Sequence, residues 1–359
     1  MINTETLEKL ARIGLTQQVV DLLAASQPTA PTGGIHLLRV VETQRDWFTL
    51  HDGASPHQAR VLHRLQQQLQ ADETALTVGD WVLAERGPQQ ELWIGARLPP
   101  LTQIARRAND GRRQPLASNV DTALLAMGLD QDFNPRRAER YVAMALACGV
   151  APVVVLTKAD IAADAQERIA LVRQRLPASV PVVAVNGLSD ATRTALAPWV
   201  RQGQTLVLLG SSGAGKSTLT NLLSGALQDT GGVRSGDGRG RHTTTARSLH
   251  LCPEGACIID TPGLRTWRPD ADGAALGATF EDVQGLAAQC RFRDCRHEDE
   301  PGCAVRAQVD ADRLRNYQKL LRDAQRVEQT PLDRIAQRRK WKAIGKSGSL
   351  RGRDKRGAP

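Results

Sequence analysis

Apolar positions along this chain change their spacing twice, and each change marks a different kind of structure. Residues 1–34 carry apolar positions at helical spacing, predicting one short helix at Thr6–Ala24, before QPTAPTGG closes this N-terminal extension as a linker. From Ile35 to Ala105 the pattern shortens to β-like runs: IHLLRVV, DWFTLHD, HQARVLHRL, VGDWVLAER and ELWIGARL. The separators are turn-forming pairs, Asp52-Gly53, Gly79-Asp80 and Gly87-Pro88. Five short strands over residues 35–105 predict a small barrel, the five-stranded OB-fold being the leading candidate. Over 57–70 glutamines weaken the strand pattern, and helix is the alternative there.

RRANDGRRQPLAS, residues 106–118, is basic and punctuated by Gly and Pro, and reads as an interdomain linker. Beyond it, over 119–275, fully apolar runs (VDTALLAMGL, VAPVVVL, VPVVAV, QTLVLLG) alternate with amphipathic helical stretches. One of these, PRRAERYVAMALACG, opens with proline in its first turn. That alternation specifies a parallel sheet covered by helices on both faces. Residues 276–330 form a smaller C-terminal module, and 331–359 a tail.

Composition sharpens this layout. Apolar residues are 41% of the chain, enough for real cores. The longest apolar runs, such as Val153–Leu156 and Leu206–Leu209, fall far short of the ~20 residues of a membrane span. No membrane association is expected, and with no basic-then-apolar leader at the N-terminus the expected location is the cytoplasm. Net charge is +9, but Pro331 to Pro359 hold ten Lys or Arg against two Asp, which leaves +1 for all the rest. Such a tail suits a polyanion, or serves as a solvated terminus.

The strongest chemical signal is LVLLGSSGAGKSTLTNLLSG. Gly210, Ser211, Ser212, Gly213, Ala214, Gly215, Lys216, Ser217 and Thr218 fit the phosphate-loop spacing between an apolar strand and an amphipathic helix. Small residues let backbone N–H groups curl around a β-phosphate, and the helix adds its positive end. Lys216 is suited to the β- and γ-phosphates and Ser217 to Mg²⁺. IIDTPG follows, bringing Asp260 to the Mg²⁺ side and the Gly263 N–H toward the γ-phosphate. Between them lies a polar glycine-rich stretch in which Thr243, Thr244 or Thr245 can supply a switch hydroxyl for Mg²⁺, with Thr244 the candidate.

Base choice points to TKAD: Thr157, Lys158, Ala159 and Asp160 close the strand VAPVVVL. The carboxylate can accept from guanine's imino and amino groups while the lysine stem covers its plane. Backbone at Val185–Gly187 can supply a second base contact. The base motif precedes the phosphate loop, the reverse of the conventional order. A site built from loops at one sheet edge tolerates such a circular permutation. The competing reading, an ATP-driven remodeller of nucleic acid, leaves TKAD and the short switches unexplained.

Cys290-x₄-Cys295-x-His297-x₅-Cys303 supplies three thiolates and an imidazole, a donor set for one closed, structural tetrahedral Zn²⁺, with iron as the alternative. Clustered this way, the cysteines suggest metal rather than disulfides.

Together the barrel, TKAD, GSSGAGKST, RHTTT, DTPG and the cysteine–histidine spacing resemble the ribosome small-subunit-dependent GTPase A family over roughly residues 35–325. The resemblance implies a multidomain fold: an N-terminal OB-fold β-barrel, a central circularly permuted α/β P-loop GTPase domain, and a C-terminal α-helical zinc-binding module. It implies hydrolysis of GTP to GDP and phosphate, stimulated by the small ribosomal subunit during its late maturation. It also implies rRNA contacts from the barrel and zinc module, a largely monomeric protein, and further assembly factors as possible partners. Leu264 stands where many GTPases carry a water-positioning Gln, and the family suggests His242 for that role, while Lys216 is the catalytic candidate from the phosphate loop. His242 as an RNA-contacting or solvated loop residue is the alternative.

Overall fold

The computed structural model describes residues 4–26, 35–44, 47–87, 91–107, 113–187, 189–225, 247–260 and 273–328. Helices α1 (Thr4–Ala11) and α2 (Gln17–Ala25) precede five strands: β1 (Ile35–Thr43), β2 (Phe48–His51), β3 (Pro56–Val61), β4 (Trp81–Arg86) and β5 (Leu92–Arg97). Helix α3 (His63–Ala71) lies between β3 and β4. The strands pair in the ring β1-β2-β3-β5-β4-β1, with β3 and β5 parallel and the other pairs antiparallel. This is a closed five-stranded OB barrel. Its interior holds Leu38, Val40, Leu50, Val82, Ala84 and Ile94, and α3 plugs it with Leu65 and Leu69, one turn apart. Glutamines at 66–68 and 70 mark the solvated side of that helix, so the helical alternative over 57–70 holds from His63 onward.

Strand periodicity also explains the N-terminal segment. Leu38, Val82 and Ala84 point inward, so Leu37, Trp81 and Leu83 point outward. Those outward residues are buried by Leu10, Ile13, Leu15 and Val19 of the first two helices and the turn between them. The predicted single helix is thus two, and the extension docks as a cap on the barrel. The break falls at Gly14 (φ +85°), where a Cβ would lie 2.1 Å from Arg39 Nη1.

Arg39, on β1, is fully buried. Its guanidinium donates to Ile13 O, to Gly79 O (3.4 Å), to Asn119 O (3.1 Å) and to Thr205 Oγ1 (2.9 Å). Cap, barrel and central domain therefore meet on one side chain, whose pKa burial pushes below the ordinary arginine value.

The segment expected as a linker at 106–118 instead carries strand at both of its ends. Strands β6 (Gln103–Arg107) and β7 (Arg113–Ser118) pair antiparallel. Ile104, Leu116 and Ala117 are buried in the central domain's core and hold these two strands in place.

The central domain runs β8 (Thr122–Gly128), α4 (Pro135–Ala147), β9 (Ala151–Thr157), α5 (Ala165–Arg175), β10 (Val182–Ala184), α6 (Ala191–Leu196), β11 (Thr205–Gly210), α7 (Lys216–Ser224), β12 (Ser248–Leu251) and β13 (Cys257–Asp260). The sheet order is β10-β9-β8-β11-β13-β12, all parallel except β12. Leu125, Met127, Val154 and Leu156 face one apolar layer, and Leu124, Ala126, Val153 and Val155 the other. Both faces are covered, as the unbroken apolar runs require. After β10 the chain returns to the far side of β8, so the strand order reverses between β8 and β11, where open α/β sheets place ligands. A bulge in β1 between Val40 and Glu42 lets its end pair with β12 at Ser248, joining barrel and sheet.

Helices α8 (Gly273–Thr279), α9 (Glu281–Ala287), α10 (Ala304–Gln308) and α11 (Ala311–Glu328) form the C-terminal module. Leu276, Phe280, Val283, Val305, Leu314 and Leu320 make its core, which continues onto Ala143 of α4. Beside that apolar contact, buried Glu139 of α4 accepts from Arg313 (2.7 Å) and Asn316 (2.5 Å) of α11 and from Arg175 (2.8 Å) of α5. No helix among the described residues is long and apolar enough to cross a membrane.

Candidate nucleotide site and metal centre

Strand β11 is buried along its whole length and delivers Gly210 to the carboxyl edge of the sheet. A Cβ on Gly210 would sit 2.4 Å from Ala126 O, so this position admits glycine alone. Gly213 and Gly215 adopt φ of +83° and +85°, and Gly215 caps the N-terminus of α7. Lys216, first in the helix, folds its Nζ back onto Gly210 O (3.0 Å) and Ser211 O (2.6 Å). Ser212, Gly213 and Ser217 are exposed, so the loop's outer face is open to a ligand. A helix N-terminus, a cation and a rim of small residues are a phosphate site. Asp260 ends β13, level with Leu208 of β11, one strand away from the loop.

The TKAD motif comes to the same edge. Thr157 ends β9, is 2% exposed, and donates its Oγ1 proton to Ala214 O at 2.9 Å. A hydroxyl thus makes the tie to the phosphate loop that the commoner Asn would make. Lys158 adopts a left-handed φ of +61°, and Asp160 is exposed at the rim. Val185 N–H donates to Leu156 O (2.8 Å), and Ala159 N–H to Val185 O (3.4 Å). A Cβ on Gly187 would lie 3.2 Å from Thr218 Cγ2, so this third loop leans on the phosphate-loop helix. Thr157, Lys158, Ala214, Gly215, Thr218 and Gly187 converge although the chain visits them in rotated order.

Two site residues escaped the sequence reading. In the loop after β8, Asp130 accepts from Lys158 Nζ (2.6 Å) and Asp132 from Ser211 Oγ (2.5 Å). Nothing in the local pattern marks them, since their partners lie 28 and 79 residues away. His242, Thr243–Thr245, Gly263, Leu264 and the basic tail lie outside the described residues.

Cys290, Cys295, His297 and Cys303 gather with all ligand atoms within 4.8 Å of one another, a group that could hold a metal ion. Cys290 Sγ lies 3.9 Å from Cys303 Sγ and 3.7 Å from His297 Nδ1, with His297 Nδ1 3.4 Å from Cys303 Sγ. A tetrahedral zinc with Zn–S bonds of about 2.3 Å sets its sulfurs about 3.8 Å apart, and the donor set fits that edge. His297 reaches its place through a left-handed φ of +60°, while Gln318 Nε2 holds its carbonyl at 2.8 Å. Burial acts to raise the Cys290 thiol, but the N–H groups of Val305 and Ala304 outweigh it and hold the pKa below the ordinary value. Arg306 N–H donates to Cys303 Sγ at 3.4 Å, a further contact suited to a thiolate.

The sequence model of a family described as RsgA GTPase matches residues 98–269. The small ribosomal subunit biogenesis GTPase RsgA of Xanthomonas oryzae pv. oryzae is 44% identical over 317 residues, 86% of each chain. Its counterpart in Xanthomonas campestris pv. campestris is 43% identical over the same span. Among solved structures, YjeQ from Thermotoga maritima aligns with a TM-score of 0.57 at 19% identity, covering 81% of this chain and 99% of that one. YloQ, a circularly permuted GTPase, aligns at 0.55 and 20% identity, covering 84% and 100%. These two likenesses concern the fold.

Proposed function

This chain belongs to the RsgA GTPase family, and on that premise we propose that it is a GTP hydrolase of small ribosomal subunit biogenesis whose guanine pocket spans TKAD and the phosphate loop. The observation that carries the reading is the Thr157–Ala214 hydrogen bond, which locks the base motif to the phosphate loop at 2.9 Å. Asp160 reads guanine's donor edge and the Lys158 stem covers its plane. Lys216 exchanges the carbonyls of Gly210 and Ser211 for β- and γ-phosphate oxygens. Ser217, Asp260 and Thr244 would hold the Mg²⁺ that accompanies GTP, which would supply positive charge at the phosphates, and the Gly263 N–H would meet the γ-phosphate.

His242 orients the attacking water when the small subunit is bound, so turnover by the free protein is slow. The Cys290–Cys295–His297–Cys303 group would hold one Zn²⁺ in a structural role, all four ligands coming from the protein. The barrel and the zinc module contact rRNA in late maturation, and the protein works as a cytoplasmic monomer. GTP turnover with and without purified small subunits tests this. Rapid hydrolysis by free protein, unchanged by subunits, or displacement of labelled GTP by ATP at equal concentration, would overturn it.

A further inference from the structure

We propose that the loop joining β8 to α4 is part of the nucleotide site, with Asp130 positioning Lys158 for the base and Asp132 positioning Ser211 for the phosphates. The proposal rests on the guanine-nucleotide reading above and deepens it.

The loop, GLDQDFN over 128–134, is fixed from several sides. Arg168 of α5 donates to Leu129 O (2.9 Å) and Asp130 O (3.0 Å). Asp132 N–H donates to Asp130 Oδ1 at 3.1 Å. A Cβ on Gly128 would fall 2.4 Å from Asp130 Oδ1, so a glycine at the end of β8 leaves room for that carboxylate to fold under the loop. Its other oxygen, Oδ2, receives Lys158 Nζ at 2.6 Å, and this hydrogen bond holds the Asp130 carboxyl below its ordinary pKa. Both partners are about one-third exposed (31% and 32%), so the pair lies at the rim where a base enters.

Asp132 lies deeper, 15% exposed. Its Oδ1 accepts from Ser211 Oγ (2.5 Å) and Arg137 Nη1 (2.7 Å), and its Oδ2 from Gly128 N–H (3.2 Å). Ser211 is the second residue of the phosphate loop, and its carbonyl is one of the two that hold Lys216.

Two carboxylates beside a phosphate loop repel the incoming anion unless they are neutralised and compensated. Lys158 and Arg137 neutralise them. The compensation is preorganisation. A lysine has a long, freely rotating stem, and one carboxylate that fixes its head before the base arrives spares that ordering at binding. Lys158 also sits in a left-handed backbone conformation, which persists where surrounding contacts over-determine it. Thr157 on one side and Asp130 on the other supply those contacts.

The two roles separate on ligands with and without a base. Mant-GDP is titrated into the full-length chain, and inorganic tripolyphosphate is read by competition, for D130N, D130E, D132N, K158A and D130N/K158A. D130N is expected to weaken mant-GDP by about tenfold, leave tripolyphosphate unchanged, and be largely rescued in D130E. On the K158A background, D130N should add less than about twofold, because its effect runs through Lys158. D132N should weaken both ligands alike.

D130N binding both ligands as the unsubstituted chain does would overturn the role of Asp130. Equal loss of both ligands, with a lowered melting temperature without nucleotide, would reduce it to a structural one. D132N binding both normally would remove Asp132. Failure of the unsubstituted chain to prefer mant-GDP over adenine nucleotide would instead sink the guanine reading, and this proposal with it.

Discussion

Removing Glu139 tests how the C-terminal module is held. The carboxylate is fully buried on α4 and accepts three hydrogen bonds, two from guanidiniums that are themselves 8% and 12% exposed. Glu139→Ala strands Arg313 and Arg175 partly unpaired. Each keeps a second carboxylate, Asp282 at 2.6 Å for Arg313 and Asp312 at 3.1 Å for Arg175. Breaking a buried ion pair costs about 3–5 kcal/mol, and the retained partners place this case near 3 kcal/mol. The cost falls on the contact between α4 and α11, so the expected response is local opening of the module. Hydrogen exchange of the α11 amides reads it directly. A loss of about 3 kcal/mol accelerates exchange by about a hundredfold where opening is limiting by equilibrium. The amides of β4 and β5 in the barrel should keep their protection. Unchanged α11 exchange in Glu139→Ala would refute the argument that this network fastens the module.

Thr157→Val keeps shape and deletes the buried hydrogen bond to Ala214, so mant-GDP affinity should fall by about 5- to 30-fold, read by fluorescence titration. Lys216→Ala should abolish subunit-stimulated GTP turnover while circular dichroism stays native, because the side chain is only part-buried at the sheet edge. Chelation should release three thiols, Cys290, Cys295 and Cys303, to Ellman's reagent and melt the C-terminal module. Cys252 should stay silent at pH 8 throughout, its pKa pushed up to about 12 by burial and the neighbouring Cys257. Asp52, lowered to about 2 against its burial by Ser55 N–H, His57 and Ala54 N–H, stabilises the folded state above its unfolded value. That contribution fades as pH falls from about 4 toward 2, and Asp52→Asn should flatten this part of an acid-denaturation curve.

What could be read beforehand was local. The barrel, the parallel sheet and the phosphate loop rest on periods and spacings within a few residues, and so does the cysteine–histidine cluster. The β6–β7 pair reads as a linker because NDG and four arginines dominate its composition. Its fold is decided by Ile104, Leu116 and Ala117, whose burial depends on a distant core. The N-terminal cap failed for a related reason: apolar spacing runs through Gly14, and Arg39 across the contact forces the break. Asp130 and Asp132 look like solvated loop acids until partners far along the chain close on them.

Arg39 imposes a timetable on synthesis. Thr205 emerges 166 residues after it, a wait of roughly 10–30 s at ordinary translation speed. Asn119 follows Arg39 by only 80 residues, but through the whole of that interval the nascent barrel carries a cation in its wall without its last acceptor, Thr205. The first-made third of the polypeptide is thus finished by the strand that leads to the phosphate loop, and a truncated barrel should prove less stable than its strand count suggests.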